Sequence, residues 1–312
     1  MRSRSMPPKV QTDQLVPPTK TGQRLGLYEK KYAYFYILPG VFVLALITLA
    51  PFIYDVILSF TNKSLASAKP PAFIGFANYK DVVMSKYFWI AVWKTLHYSV
   101  VAVVIEMVLG FILALLFQVE FRGKIIIRSL LLLPMVATPI AISFLWKIMY
   151  NPNSGVINYF LNLLHLPDIA WLGSEKTAML SVILVDVWQW TPFVFIIISA
   201  GLASLPEEPF EAAVVDGASL GQMLWHIMLP LLKPILIIAL LFRVVDSFKA
   251  FDLIYVLTGG GPGISTETLN IHVFLNGFKY LNMGYAAALS IFLIVFIILI
   301  SSFIVKRGGF GL

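Results

Sequence analysis

The sequence predicts an all-α polytopic membrane protein with six transmembrane helices and a short cytoplasmic helix between the fourth and the fifth. Three observations carry this. The 312-residue chain is 59% hydrophobic and 12% charged, about half the charge of an ordinary soluble domain. Its apolar runs are long: Tyr32–Tyr54 and Ala286–Val305 hold no charge, and Tyr98–Phe117 holds only Glu106. Each meets the ~20 residues that a helix needs to cross ~30 Å of hydrocarbon. Between two further apolar runs lies a polar insert with Glu207, Glu208, Glu211 and Asp216, which has to stand in water.

Taken in order, residues 1–31 form a polar tail with Pro7, Pro8, Pro17 and Pro18. It has no apolar core and no small-residue cleavage site, so it is not read as a secretory signal, and the first span is expected to act as an uncleaved anchor. The spans are expected at 32–60, 89–117, 128–150, 177–205, 231–257 and 281–305, followed by a tail at 306–312. The fifth is the weakest, because its apolar run Ile235–Phe242 is followed by Arg243, Asp246, Lys249 and Asp252. It is retained on parity, since without it Lys306 and Arg307 fall on the opposite side from the basic N-terminus. With six spans both termini are cytoplasmic and Lys/Arg lie inside over outside by about two to one, as the positive-inside rule requires. The net charge of +7 is therefore an orientation signal and not a nucleic-acid footprint. Pro39, Pro51, Pro134, Pro139, Pro192 and Pro234 interrupt the spans, which membrane helices tolerate.

The insert over 204–230 has its own grammar. Proline suits the first turn of the helix that Pro206-Glu207-Glu208-Pro209 opens, and acids there complement the helix dipole. Glu211 to Val215 continue it, and Gly217 stops it in a left-handed conformation. Ser219 with Gln222 forms a capping box for a second helix, which Leu229-Pro230 is expected to end. Ala212 and Ala213 keep one side thin enough for another backbone to come close.

The order Glu211-Ala212-Ala213, three residues, Gly217, nine residues, Ile227, one residue, Leu229-Pro230 resembles the signature loop of permease subunits in binding-protein-dependent ABC importers. Asp216, Ala218 and Pro234 resemble its carbohydrate-importer version. Phe73-Ile74-Gly75 with Asn78-Tyr79, Trp188-Gln189-Trp190-Thr191-Pro192-Phe193, and Phe251-Asp252 through Thr258-Gly259-Gly260-Gly261-Pro262-Gly263 extend the likeness from about residue 32 onward. The last is similar to the first permease of the maltose and glycerol-3-phosphate type pair, although the large extracellular insert of the enteric maltose subunit is missing. The resemblance implies a coupling helix at Glu211–Gly217 that docks on a cytoplasmic ATPase. It also implies two ATP-binding subunits, a second homologous permease, an extracytoplasmic sugar-binding protein and a bacterial or archaeal cytoplasmic membrane. ATP and Mg then belong to the partner subunits, with no cofactor on this chain. Glu211, Ala212, Ala213, Asp216, Gly217, Ala218, Leu229 and Pro230 are the coupling residues so implied.

The pathway is sought among polar groups kept within the spans. Arg243, Asp246, Lys249 and Asp252 recur at steps of three and can pair along a helix. On one continuous helix Arg243 and Asp252 fall on opposite sides, so Asp246 and Lys249 lead as pathway candidates, with Asp252 behind them. Asp186, Trp188 and Trp190 form a second set, since carboxylates accept sugar hydroxyls and aromatic faces stack on sugar C–H surfaces. Glu106 reads as an interhelical hydrogen-bond partner. The chain has no cysteine, and His97, His165, His226 and His272 lack ligand spacing. No G-x-x-x-x-G-K-[ST] phosphate loop, H-E-x-x-H pair or Ser–His arrangement occurs, which argues against an enzyme. The alternative reading is a stand-alone ion-coupled secondary transporter or channel, which leaves the acidic cytoplasmic helix without a task.

Overall fold

The computed structural model describes residues 21–308, so the expected tails fall outside it up to residue 20 and beyond residue 308. The first helix, α1 (Thr21–Ser59), carries its most apolar stretch over Tyr34–Ser59. From Asp55 onward the chain packs as one compact unit. In this unit follow α2 (Ala77–Met84), α3 (Lys86–Leu116), α4 (Lys124–Val136), α5 (Pro139–Met149), α6 (Val156–Leu163) and α7 (Ala178–Ala203). Then come α8 (Glu208–Val215), α9 (Leu220–Met223), α10 (Leu229–Phe248), α11 (Asp252–Thr258), α12 (Leu269–Phe274) and α13 (Met283–Gly308). Among the described residues there is no β-strand, only an isolated bridge between Thr61 and Phe73.

Among the described residues, five stretches are long and apolar enough to cross a membrane: Tyr34–Ser59, Lys86–Leu116, Ala178–Ala203, Leu220–Phe248 and Met283–Gly308. The stretch expected as one helix over 128–150 is instead the pair α4 and α5, bent by 100° at Ala137-Thr138. Thr138 precedes Pro139, whose ring disfavours helical backbone in the residue before it, and both Ala137 and Thr138 are extended. The break frees carbonyls that lipid cannot satisfy, and the buried Gln189 amide of α7 reaches the Ala137 oxygen at 3.4 Å.

The bundle is organised around α7, which is buried along most of its length and packs most closely on α3. Small residues set the approach. A Cβ on Gly110 would lie 2.6 Å from Val194 Cγ1, and one on Gly201 would lie 2.7 Å from Ile235 Cδ1. Bare Cα atoms at these crossings let α3 and α10 close on α7, the route by which membrane helices gain contact without a hydrophobic driving force.

Two further expectations are corrected. The fifth span does not run unbroken to 257: α10 ends at Phe248 and α11 starts at Asp252. No proline or glycine marks this break, but the Asn270 amide caps the exposed Lys249 carbonyl at 2.7 Å. Nor do Leu229 and Pro230 end a helix. Leu224–Met228 winds as a π-helix in which the Leu229 N–H bonds to the Leu224 carbonyl, and α10 continues directly. This wider turn precedes Pro230, which has no N–H and whose ring would collide with a normally placed carbonyl four residues back.

The Phe73–Tyr79 motif fastens the end of α1. The Asn78 amide donates to the carbonyls of Ser59 and Thr61, both at 2.8 Å, and the Tyr79 and Ser59 hydroxyls meet at 2.7 Å. These bonds satisfy carbonyls that a helix end leaves free. In the glycine-rich motif the Thr258 and Thr266 hydroxyls pair at 2.6 Å, and the Thr266 N–H bonds to the Gly260 carbonyl at 3.1 Å, folding the segment onto itself.

Candidate functional site

Two polar regions stand out from the apolar bundle. The first is the loop around α8. Pro209 lies in the first turn and Glu208 and Glu211 sit beside it. The helix closes in a Schellman motif: the Ala218 N–H bonds to the Ala213 carbonyl at 2.9 Å and the Gly217 N–H to the Val214 carbonyl at 3.1 Å. Gly217 takes φ +77°, the left-handed region that penalises a side chain. The Ser219 hydroxyl accepts from the Gln222 N–H at 3.4 Å, and the Gln222 side chain accepts from the Ser219 N–H at 2.8 Å. The end of α8 and the start of α9 are therefore sealed by residues of the loop itself, whereas Glu207 gives the start of α8 no side-chain cap.

Its faces differ. Ala213 is buried and Phe210 half-buried, whereas Glu211, Ala212, Val214, Val215, Asp216 and Gly217 are exposed. Val215 is 87% exposed, unusual for a valine ordered within a helix, and it borders a hollow of about 800 Å³ with Val214, Phe210 and Met228. Leu229 is half-buried and Pro230 exposed at the start of α10.

The second region lies within the membrane bundle and is centred on Arg243 of α10. Its Nε donates to Glu106 Oε2 at 2.6 Å and Nη2 to Glu106 Oε1 at 2.8 Å, a bidentate pair with α3. Nη2 also reaches Asp186 Oδ2 of α7 at 3.0 Å, and Nη1 reaches Asp246 Oδ2 at 2.9 Å. The Trp190 ring covers the guanidinium at 5.1 Å, within cation–π range. Arg243, Glu106 and Asp186 are all but fully buried, while the Asp246 side chain is 49% exposed. The buried Tyr98 hydroxyl has no hydrogen-bond partner. One cation thus ties three helices together and leaves one carboxylate reachable.

The structure separates residues that the sequence grouped. Asp186 is committed to Arg243 and is not open to a ligand, whereas Trp190, one turn on, shares that guanidinium. Trp188 faces elsewhere: it packs edge-on against Trp146 at 5.5 Å and lines an apolar crevice of about 820 Å³ beside α4 and α5. Lys249 and Asp252 are exposed, but Asp252 opens α11, so the expectation that placed it on one continuous helix with Arg243 is corrected. Sequence reasoning missed Arg243 as the hub. The signal was present, because Glu106 is the lone charge in its apolar stretch and a lone buried charge requires an opposite one.

Comparison with known proteins agrees with this architecture. Residues 106–307 match the family described as binding-protein-dependent transport system inner membrane component. The trehalose/maltose transport system permease protein MalF of Thermococcus litoralis is 34% identical over 92% of this chain and 97% of its own. The trehalose transport system permease protein SugA of Mycobacterium tuberculosis is 35% identical over 93% of this chain and 92% of its own. A probable ABC transporter permease of Sinorhizobium fredii is 41% identical over 87% and 88%. Among solved structures, a bacterial ABC transporter that imports the acidic polysaccharide alginate shares the fold, with a TM-score of 0.79 and 21% identity over 92% of this chain and 98% of that one.

Proposed function

The chain belongs to the binding-protein-dependent transport system inner membrane components, and we propose that it is the membrane-spanning subunit of an ABC importer for a sugar or oligosaccharide. The carbohydrate assignment rests on the named substrates of its relatives, trehalose and maltose, together with the loop signature. In this reading the subunit crosses the cytoplasmic membrane with both termini inside. It pairs with a second homologous permease and two ATP-binding subunits, and receives substrate from an extracytoplasmic sugar-binding protein. ATP and Mg are bound by the partner subunits, and this chain carries no ATPase chemistry.

The observation that carries the proposal is α8, closed at its end by Gly217 and Ala218 and exposing Glu211, Ala212 and Asp216. Glu211, Ala212, Ala213, Asp216, Gly217 and Ala218 are the coupling element, and Leu229 and Pro230 lead from it into α10. Because the loop closes much of its own backbone, it moves as a body, and the uninterrupted run from α9 through the π-turn into α10 carries that motion toward Arg243. In the pathway Asp246 accepts sugar hydroxyls and Trp190 offers a stacking face, with Lys249 and Asp252 beyond them. Asp186 holds Arg243 in place from behind, and Trp188 belongs to the apolar side.

Gly217→Asp tests the coupling. No atom outside the turn lies within 4 Å of a Cβ built there, so the variant is expected to insert and assemble. It adds about 1 kcal/mol of left-handed strain and a charge on the docking face. We expect ATP hydrolysis to continue while substrate uptake falls at least tenfold. Normal uptake and normal substrate-stimulated hydrolysis would refute the assignment.

A further inference from the structure

Resting on the pathway reading above, we propose that the carbohydrate carried is neutral, and that a sugar bearing a phosphate, sulfonate or uronate group is rejected within the membrane at Asp246. The charge arrangement around Arg243 supports this. Four of the five guanidinium N–H groups are already spent on carboxylates, and the residue is 1% exposed. Trp190 covers the face of the group. An anionic substrate therefore finds no exposed guanidinium donor here, even though the site contains an arginine.

What the site offers instead is Asp246, whose carboxylate is half exposed and acts only as an acceptor. Hydroxyls satisfy such an acceptor; a second anion repels it. The neighbouring charges do not reverse the sign. Glu106, Asp186 and Asp246 set three formal negative charges against Arg243, and of the exposed Lys249 and Asp252 that follow, one is positive and one negative. Repulsion between like charges is stronger beside a protein surface than in bulk water. A hydroxyl-rich neutral ring meets this site without penalty, stacking its C–H face on Trp190 while donating to Asp246.

The test uses the assembled, purified importer, titrated without its binding protein so that capture by that protein cannot set the outcome. The probes are neutral gluco-oligosaccharides and size-matched oligo-uronates, and the readout is Trp190 fluorescence, isolated by subtraction of a Trp190→Phe importer. The neutral series is expected to bind at least tenfold tighter than the acidic one. In Asp246→Asn, which keeps the shape and an acceptor for Arg243, the neutral series weakens and the gap narrows to within about threefold. Equal or tighter binding of the acidic series by the unaltered importer would overturn the proposal, as would a gap that Asp246→Asn leaves intact. Binding of neither series would overturn the placing of Asp246 and Trp190 in the pathway, a result distinct from the other two.

Discussion

The α8 loop and the Arg243 cluster are two charged regions of a molecule built largely for lipid, and they solve the problem of polar groups in opposite ways. At α8 the polar atoms are satisfied within the same short segment: Gly217 and Ala218 close one end, and Ser219 and Gln222 open the next helix. The acids and two valines remain facing out. At Arg243 every bond but one crosses to a different helix, reaching Glu106 137 residues away and Asp186 57 residues away. A surface element can afford local closure because water covers the remainder. A charge within the bilayer cannot, and its partners must be brought by the fold. The first region thus closes much of its own backbone, and the second is a fastening point for α3, α7 and α10.

The largest effect is expected from breaking that fastening. Arg243→Ala leaves three carboxylates facing one another without a cation and should cost roughly 3–5 kcal/mol, the scale for removing one partner of a buried ion pair. Thermal unfolding and size-exclusion profiles of the detergent-purified complex should show collapse or failure to assemble. Gln in place of Glu106 keeps the shape and one acceptor for Arg243, and should lie between Arg243→Ala and the unaltered protein. At the loop the effect should be far smaller. Ser219→Ala removes the capping hydroxyl and should cost about 1 kcal/mol locally. The complex should assemble normally and show only faster amide exchange over α9. If Ser219→Ala proved as damaging as Arg243→Ala, the contrast between local and long-range closure would be wrong.

The same contrast explains what could be read from the sequence. The short helix at 208–215, its left-handed stop at Gly217 and the capping box at Ser219 depend on residues within four positions of each other, and they were legible. The apolar lengths of the spans were legible too. The Arg243–Asp246 pair follows from helical spacing, but the bidentate Glu106 contact depends on how α3 meets α10, which spacing along one helix does not encode. Pro139 signalled the break in the third crossing, yet proline alone does not fix its angle, and the Gln189 amide that accommodates it comes from another helix. The end of α10 had no local signal at all, since its cap is the distant Asn270.

The central claim is that α8 meets an ATP-hydrolysing partner on the cytoplasmic side. The chain has no native cysteine, so Val215→Cys places a single thiol on its most exposed helical valine. Treated with a short bifunctional thiol–amine reagent in membranes carrying the whole importer, it should crosslink to the ATP-binding subunit, with a yield that changes when nucleotide is added. No crosslink to that subunit, or labelling of the thiol in intact cells by a membrane-impermeant reagent applied outside, would contradict the account.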